Sequence, residues 1–353
     1  MFLAHKKISS EIFEIYAKLI TDLFPSEIQT TYYTPRRNKK NPSGKLYDRY
    51  NNIKHITKRL KPTQDNEDVD NGTTNVYNVE DEIEYYTAFL LSNSDPDLWD
   101  KVKDYWQRTA NYRLKLLRSP ENSLNTILKE WPKYNDSKGY ELINIDFDNI
   151  YKGKGSLLLD NFNNFVKLIL PIYSRDIRDK LNKEHLEQLQ KNTELSKDSR
   201  DYLIILLLHA ILQPRRINRT HKPTILDSQD DFVLHVKTIN DVLPKIEAAR
   251  ANYRDKKIKL QPRIVVVGVD KNKLEDFYVY SDSIRYKFNS FIECLDITIK
   301  LIHVFNLEFS QISRLVWLFL SRYFFGISDE SITVVDSLVG QLNIEKMLLI
   351  FKI

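Results

Sequence analysis

Arg36, Arg37, Lys39, Lys40, Lys45 and Arg49 are interleaved with Tyr32, Tyr33, Tyr47 and Tyr50. Cationic side chains neutralise phosphates and tyrosine faces stack bases, so these residue types at this spacing suit contact with nucleic acid. From Arg36 to Lys61 the chain holds ten Lys or Arg against one acid, Asp48; from Pro62 to Asp100 it holds eleven Asp or Glu and no Lys or Arg. The alternative is a solvated or internally paired face with Tyr50 packed in a helical stripe, which is the commoner fate of a charge run. On that view residues 62–84 shield the basic block and lower its affinity for polyanions. A nuclear-import signal would use the same cations.

Two further basic clusters follow: Arg215, Arg216, Arg219 and Lys222, then Arg250, Arg254, Lys256, Lys257, Lys259 and Arg263. A fold that set the first beside residues 36–61 would make one cationic groove; scattered loop cations are the plainer account. The sharpest enzymatic pattern is IVVVGVD over 264–270, a strand ending in Asp270 before a hairpin and a helix. That order opens an RNase H-like nuclease, in which clustered carboxylates hold two divalent metals. Asp270 would be the first carboxylate, with Glu293 or Asp296 as the second. Against it, Asp270 suits a strand-ending turn and Glu293 a capping box.

Other constellations are incomplete. Neither GxGxxG nor GxxxxGK[ST] occurs. Lys152-Gly153-Lys154-Gly155 reads as a basic turn ahead of a helix rather than an anion cradle. The seven histidines are dispersed without metal-ligand spacing, and His209, His235 and His303 lie in apolar runs that suit satisfied core residues. Asp146 and Asp148 flank Phe147 and could chelate, though an alternating polar face explains them equally. No catalytic residue, cofactor or metal is assigned.

The background is that of a globular protein: 42% apolar, 29% charged, formal net charge +5 over 353 residues. A single cysteine, Cys294, excludes an internal disulfide framework and fits a reducing compartment. The start is too short in apolar residues for a secretory signal, and the longest apolar run, Tyr202–Leu212, is about half a membrane span. The expected location is intracellular, in cytoplasm or nucleus, with no membrane association.

Helical periodicity places a first helix over 9–24 with Ile12, Phe13, Tyr16, Leu19, Ile20 and Leu23 on one face. A second starts with Ser43 as N-cap, turning Leu46, Tyr50, Ile53, Ile56 and Leu60 inward and Lys45 and Arg49 outward. Residues 62–78 form an acidic linker too poor in apolar residues to pack. Asp95-Pro96-Asp97 is a helix start for a run through Trp99, Val102, Trp106 and Leu114, and Ser119-Pro120-Glu121 repeats it. Apolar-periodic segments follow at 156–173 and 196–212. Phe232–Val236 and Arg263–Val269 are β-branched runs flanking a helix-periodic stretch, a β-α-β pattern, and 277–280 with 284–288 reads as a hairpin. Helices over 290–304 and 315–325, the latter stopped by Gly326, complete the pattern.

The phrases PSGKLYDRY (42–50), GYELINIDFD (139–148), SQDDFVLHV (228–236), QPRIVVVGVD (261–270), FYVYSDSIRYKF (277–288) and VWLFLSRYFFGI (316–327) resemble an uncharacterised, multicopy family of predicted animal proteins. The resemblance covers residues 15–327. It implies a SAM-type or zinc-finger module upstream in longer members, so this chain reads as a fragment or shortened copy; it implies no activity.

The expected organisation is α+β: an N-terminal helical segment with the basic block (1–61), an acidic linker (62–79), an all-helical region (80–222), a small α+β domain with about four strands (223–326), and a tail (327–353). The expected function is non-enzymatic binding or scaffolding, contacting nucleic acid or an acidic protein partner through the face 36–61. The alternative is a metal-dependent nuclease of mobile-element origin using Asp270.

Overall fold

The structure, a computed structural model, describes residues 9–36, 41–50, 79–119, 122–192, 194–219, 221–255, 261–281, 283–328 and 330–351. The chain divides into two compact units, Met1–Tyr85 and Tyr86–Ile353.

In the first unit, α1 (Ser10–Leu23) meets the short α2 (Gln29–Tyr32) and a helical stretch over 45–50. Its core is Phe13, Ala17 and Tyr33, with Tyr32, Leu46, Tyr47 and Tyr50 packed around them. Phe13 stacks on Tyr33 at 5.0 Å and takes Tyr47 and Tyr50 edge-on at 5.6 and 5.3 Å. The buried line of α1 therefore runs through Phe13 and Ala17, where a small residue admits the rings, whereas Ile12, Tyr16 and Leu19 are exposed. The helical stretch over 45–50 also starts differently from expectation. Ser43 is occupied in an antiparallel bridge with Thr34, and Gly44 is the residue before the first helical turn, accepting from Asp48 N. Gly44 sits at φ +114°, and a Cβ there would lie 2.7 Å from the Tyr32 carbonyl oxygen, so only glycine fits without strain. The inward stripe expected beyond Tyr50 lies outside the described residues, as does the linker 62–78.

The second unit starts within α3 (Val79–Ser92). Asp95 accepts from Asp97 N as an N-cap with Pro96 at the first position, and α4 (Trp99–Arg108) follows. The expected single helix breaks at Thr109, whose hydroxyl bonds back to Tyr105 O at 2.9 Å, before α5 (Ala110–Leu117). The next helix, α6 (Leu124–Glu130), is capped by Ser123 rather than by Ser119, because the Ser123 hydroxyl accepts from Thr126 N. Then come α7 (Gly139–Ile150), α8 (Leu157–Asp176), α9 (Lys180–Lys191), α10 (Lys197–Ile211) and α11 (Ile225–Phe232). Tyr202–Ala210 of α10 is buried on every side, as a helix apolar all round must be.

The protein is α+β. A four-stranded sheet runs in the order β1 (Val233–Val236), β2 (Arg263–Asp270), β3 (Lys273–Ser281), β4 (Ile284–Phe288). β1 and β2 are parallel, with α12 (Val242–Asp255) as crossover; β2–β3 and β3–β4 are antiparallel. Val242 and Ile246 of α12 cover one face against Val236, Val265 and Val267. The helix α13 (Phe291–Val304) packs on β2, β3 and β4. Covered on both faces, β2 reads as a continuous apolar run rather than an alternating one. The chain closes with α14 (Arg314–Phe325), terminated by Gly326 in the left-handed region, and α15 (Thr333–Phe351), which lays Val335, Leu338 and Leu342 against α8 and α14.

Asp146 does not chelate. It is fully buried and accepts from Trp106 Nε1 at 3.0 Å, Tyr134 Oη at 2.6 Å, Arg113 Nε at 3.2 Å and, closest, Arg113 Nη2. Asp148 is exposed. Burial and then the Asp146 carboxylate hold the Tyr134 phenol well above its usual pKa, keeping it a donor. This cluster ties α4, α5 and α7 together.

Candidate functional site

In the first unit Arg36 is exposed just after the Thr34–Ser43 bridge, and Lys45 is exposed with its ammonium 5.6 Å from the centre of the Tyr32 ring. Arg49 pairs with Glu84 at 3.1 Å, both side chains solvent-facing. Such a pair is worth at most about 1 kcal/mol. It is one contact between the basic block and the acids that follow it. Arg37, Lys39 and Lys40 lie outside the described residues. The aromatic half of the sequence pattern is largely spent on folding: Tyr33 is 3% exposed, and the partly buried Tyr32, Tyr47 and Tyr50 pack around the Phe13 cluster.

Asp270 and Asp296 of the nuclease pattern are likewise engaged, and Glu293 takes part through its backbone N–H. Asp270 Oδ1 accepts from Asn272 N at 2.7 Å and Lys273 N at 3.1 Å, closing the β2–β3 turn. Asp296 is buried and pairs with Lys300 one turn on at 2.5 Å; burial lifts its pKa to about 6 despite that cation. Ser290 caps α13 by accepting from Glu293 N. Among the described residues no group of three or more His, Cys, Asp or Glu side chains is placed to hold a metal ion. His209 bonds Ser228, His235 Nε2 donates to Gly268 O, and His303 Nε2 bonds Ser321. Lys154 reaches Gly326 O at 3.5 Å.

The second unit contains a cleft of about 1060 Å³ whose walls come from five separate segments. The buried α10 ends at Ile211, and the chain leaves through Pro214, which cannot continue a helix, into an exposed loop carrying Arg215 and Arg216. That loop is held by Ile217 N donating to His221 O and by Arg216 Nη1 donating to Arg219 O at 2.8 Å. Arg118 stands at the end of α5. The far wall is built by the end of α13. Asn306 takes φ +50°, Asn306 N bonds His303 O, and Leu307 N bonds Ile302 O at 2.9 Å. These are the two bonds of a left-handed helix stop, which turns Glu308 and Phe309 along the cleft. Arg314, in the first turn of α14, also lines it.

Four guanidiniums thus face two lining carboxylates, Glu308 and Glu330. Glu330 is taken by Arg314 at 2.5 Å. Arg118, Arg215 and Arg216 form no ion pair with any described residue. The wall between them is aromatic: Tyr151, His303 and Phe309 line it, with ring centres 5.6 Å and 5.7 Å apart in sequence, and Phe309 is stacked on Trp317.

A second, smaller cavity of about 180 Å³ shares Leu307 with the cleft and is lined by Arg250 and Arg263. The fold therefore draws residues of the second and third basic clusters toward one region of the second unit. Arg215 and Arg216 were visible in the sequence as a cluster. Arg118 and Arg314 were not, since nothing local marks a lone arginine that only tertiary packing brings to the cleft. Lys256, Lys257 and Lys259 lie outside the described residues. No described helix is long and apolar enough to cross a membrane. No protein-family model, curated protein or solved structure matches the chain.

Proposed function

We propose that the chain is a non-enzymatic binding protein for single-stranded nucleic acid, with the cleft of the second unit as the principal site. Arg118, Arg215 and Arg216 take backbone phosphates and the Tyr151–Phe309 wall takes a base. The observation that carries this reading is three guanidiniums without a carboxylate partner among the described residues, Arg118 from one segment and Arg215 with Arg216 from another, on one cleft beside an aromatic wall. Cation plus aromatic platform is the arrangement that holds a strand without reading its sequence. The exposed Arg36 and Lys45 of the first unit add positive potential but, with Tyr33 buried and Tyr47 and Tyr50 packed on Phe13, supply chiefly an electrostatic contact.

The test is fluorescence anisotropy of a labelled single-stranded oligonucleotide against the full chain at several salt concentrations. Three phosphate contacts give a slope of log K against log salt of about −2, from about −0.7 per contact. The double variant Arg215→Gln/Arg216→Gln should flatten that slope by about 1.4 and weaken binding at low salt. Equal affinity and slope in wild type and variant would remove the cleft from the account.

A further inference from the structure

The small cavity of about 180 Å³ lies at the junction of α12, the start of β2 and the start of α6, and its lining contains two arginines, several neutral donors and no acid. Arg263 is the first residue of β2 and only 6% exposed. Its Nη2 donates to Tyr253 Oη at 2.9 Å and sits 3.6 Å from Asp231, which also accepts from Ser313. That network fixes the guanidinium plane. Its Nε is enclosed yet has no hydrogen-bond partner among the described residues. A buried N–H left unmatched costs on the order of 1–3 kcal/mol, more on a charged group, so this atom presents an unmet demand for an acceptor.

Arg250 supplies the second cation. It lies one helical turn before Tyr253 on α12 and lines the same cavity, its side chain 39% exposed. Its present partner, Glu247, is more exposed still, lies outside the lining and pairs at 2.6 Å within the same helix. Such a surface pair is weak and exchangeable. Asn125, Gln261 and Ser281 add amide and hydroxyl donors, and Leu124, Ile246, Pro262, Tyr280 and Leu307 form the apolar part of the wall. The volume is below the roughly 300–1,000 Å³ of pockets that enclose a drug-sized ligand, so it takes a group rather than a whole nucleoside.

We propose that this cavity is a binding site for one phosphomonoester group, with Arg263 as the buried anchor and Arg250 as the arginine that closes over it from the mouth. Guanidiniums bind phosphate oxygens through two parallel N–H bonds, and donors arriving from α12, β2 and α6 surround a tetrahedral anion, whereas a planar carboxylate would leave part of them unmatched. This inference does not depend on the cleft reading: a phosphate pocket stands whether or not the neighbouring cleft holds a strand. The same chemistry is offered by a free phosphate compound and by the terminal phosphate of an oligonucleotide.

The experiment is calorimetric titration of the full chain with inorganic phosphate, repeated with a 5′-phosphorylated oligonucleotide and its 5′-hydroxyl twin. Arg263 also holds Asp231 and Tyr253, so the decisive variant is Arg250→Gln, with Arg254→Gln on the exposed part of the same helix as a charge-matched control. Saturable phosphate binding weakened about 10- to 100-fold by Arg250→Gln and unchanged by Arg254→Gln is the expected result. If wild type then prefers the 5′-phosphorylated strand and Arg250→Gln does not, the phosphate comes from a strand end; if phosphate binds without that preference, it comes from a small molecule. No heat with phosphate, or equal binding by Arg250→Gln and wild type, overturns the proposal. So does equal weakening by both variants, which marks only general charge.

Discussion

Replacing Asp146 by Asn is the most informative single perturbation of the second unit's architecture. The volume is unchanged, but one carboxylate that accepts from Trp106, Tyr134 and twice from Arg113 becomes a neutral amide, half donor. Arg113 has no exposed surface and lies over Trp106, its guanidinium carbon 3.8 Å from the ring centre, so it cannot turn to water. Removing one member of a buried ion pair costs about 3–5 kcal/mol, chiefly by stranding the other charge. A separate count, two charge-assisted bonds at about 1.5–3 kcal/mol each, lands in the same range. At about 2–4 °C per kcal/mol for a unit of this size, Asp146→Asn should lower the thermal midpoint by roughly 6–20 °C. Scanning calorimetry reads that shift, and urea unfolding should show a lower midpoint with an unchanged slope. The double variant Arg113→Met/Asp146→Leu should recover most of the loss, since a well-packed apolar pair can replace a buried ion pair. A loss below about 1 kcal/mol in Asp146→Asn would refute the assignment of Asp146 as the tie between α4, α5 and α7.

Two buried groups make the pH dependence of stability specific. Burial drives His209 down to about 3, so below about 6.5 the unfolded chain binds a proton that the folded chain refuses. Its contribution is full above pH 6.5 and is lost as pH falls toward 3; His209→Gln should flatten that acid-side slope in urea midpoints. Asp201 runs the other way: burial raises it to about 6, so stability falls as pH rises from about 4 through 6. Asp201→Asn should therefore be the more stable protein at pH 7 and gain nothing at pH 3.5; no gain at neutral pH would contradict its burial. In the first unit, Gly44→Ala forces a Cβ against the Tyr32 carbonyl at positive φ, a strain of about 1–3 kcal/mol. Amide exchange at Thr34 and Ser43 should accelerate, and unchanged protection would mean the bridge does not depend on that glycine.

The fold class was legible because its strongest signals are local. β1 and β2 are β-branched runs too short for helices, Asp95-Pro96 and Ser290 are caps, and Gly326 is a left-handed stop, each decided within a few residues of chain. What escaped depends on partners. The helix α9 buries Asn182, His185, Leu186 and Leu189, a face half polar in type, because Gln229 of α11 reaches across to Asn182 at 2.8 Å. In α15 the opening Thr333, Val334 and Val335 argue for a strand by propensity, and packing on α8 and α14 overrides them. The α1 stripe is legible only in part for the same reason: Phe13 is buried as expected, but the rings of Tyr33, Tyr47 and Tyr50, which come from later in the chain, select Ala17 and leave Ile12, Tyr16 and Leu19 exposed.

The site was legible only as raw material, and the arginines explain why. Sequence composition treats all of them as cations available to a phosphate. The folded chain sorts them. Arg113 is consumed by Asp146 inside the core, and Arg314 and Arg322 fasten the connection to α15 through Glu330 and Asp336. Arg118, Arg215 and Arg216 meet no carboxylate among the described residues. These last three combine solvent access with the lack of a carboxylate partner, and solvent access is what allows counterions to be released when a polyanion arrives. Arg263 is a mixed case, because one edge of its guanidinium is fixed by Tyr253 and Asp231 while Nε stays unmatched. A buried arginine in that condition is held still at no further entropic cost to binding, which is why a small anion should find its strongest grip there rather than among the more numerous cations of residues 36–61.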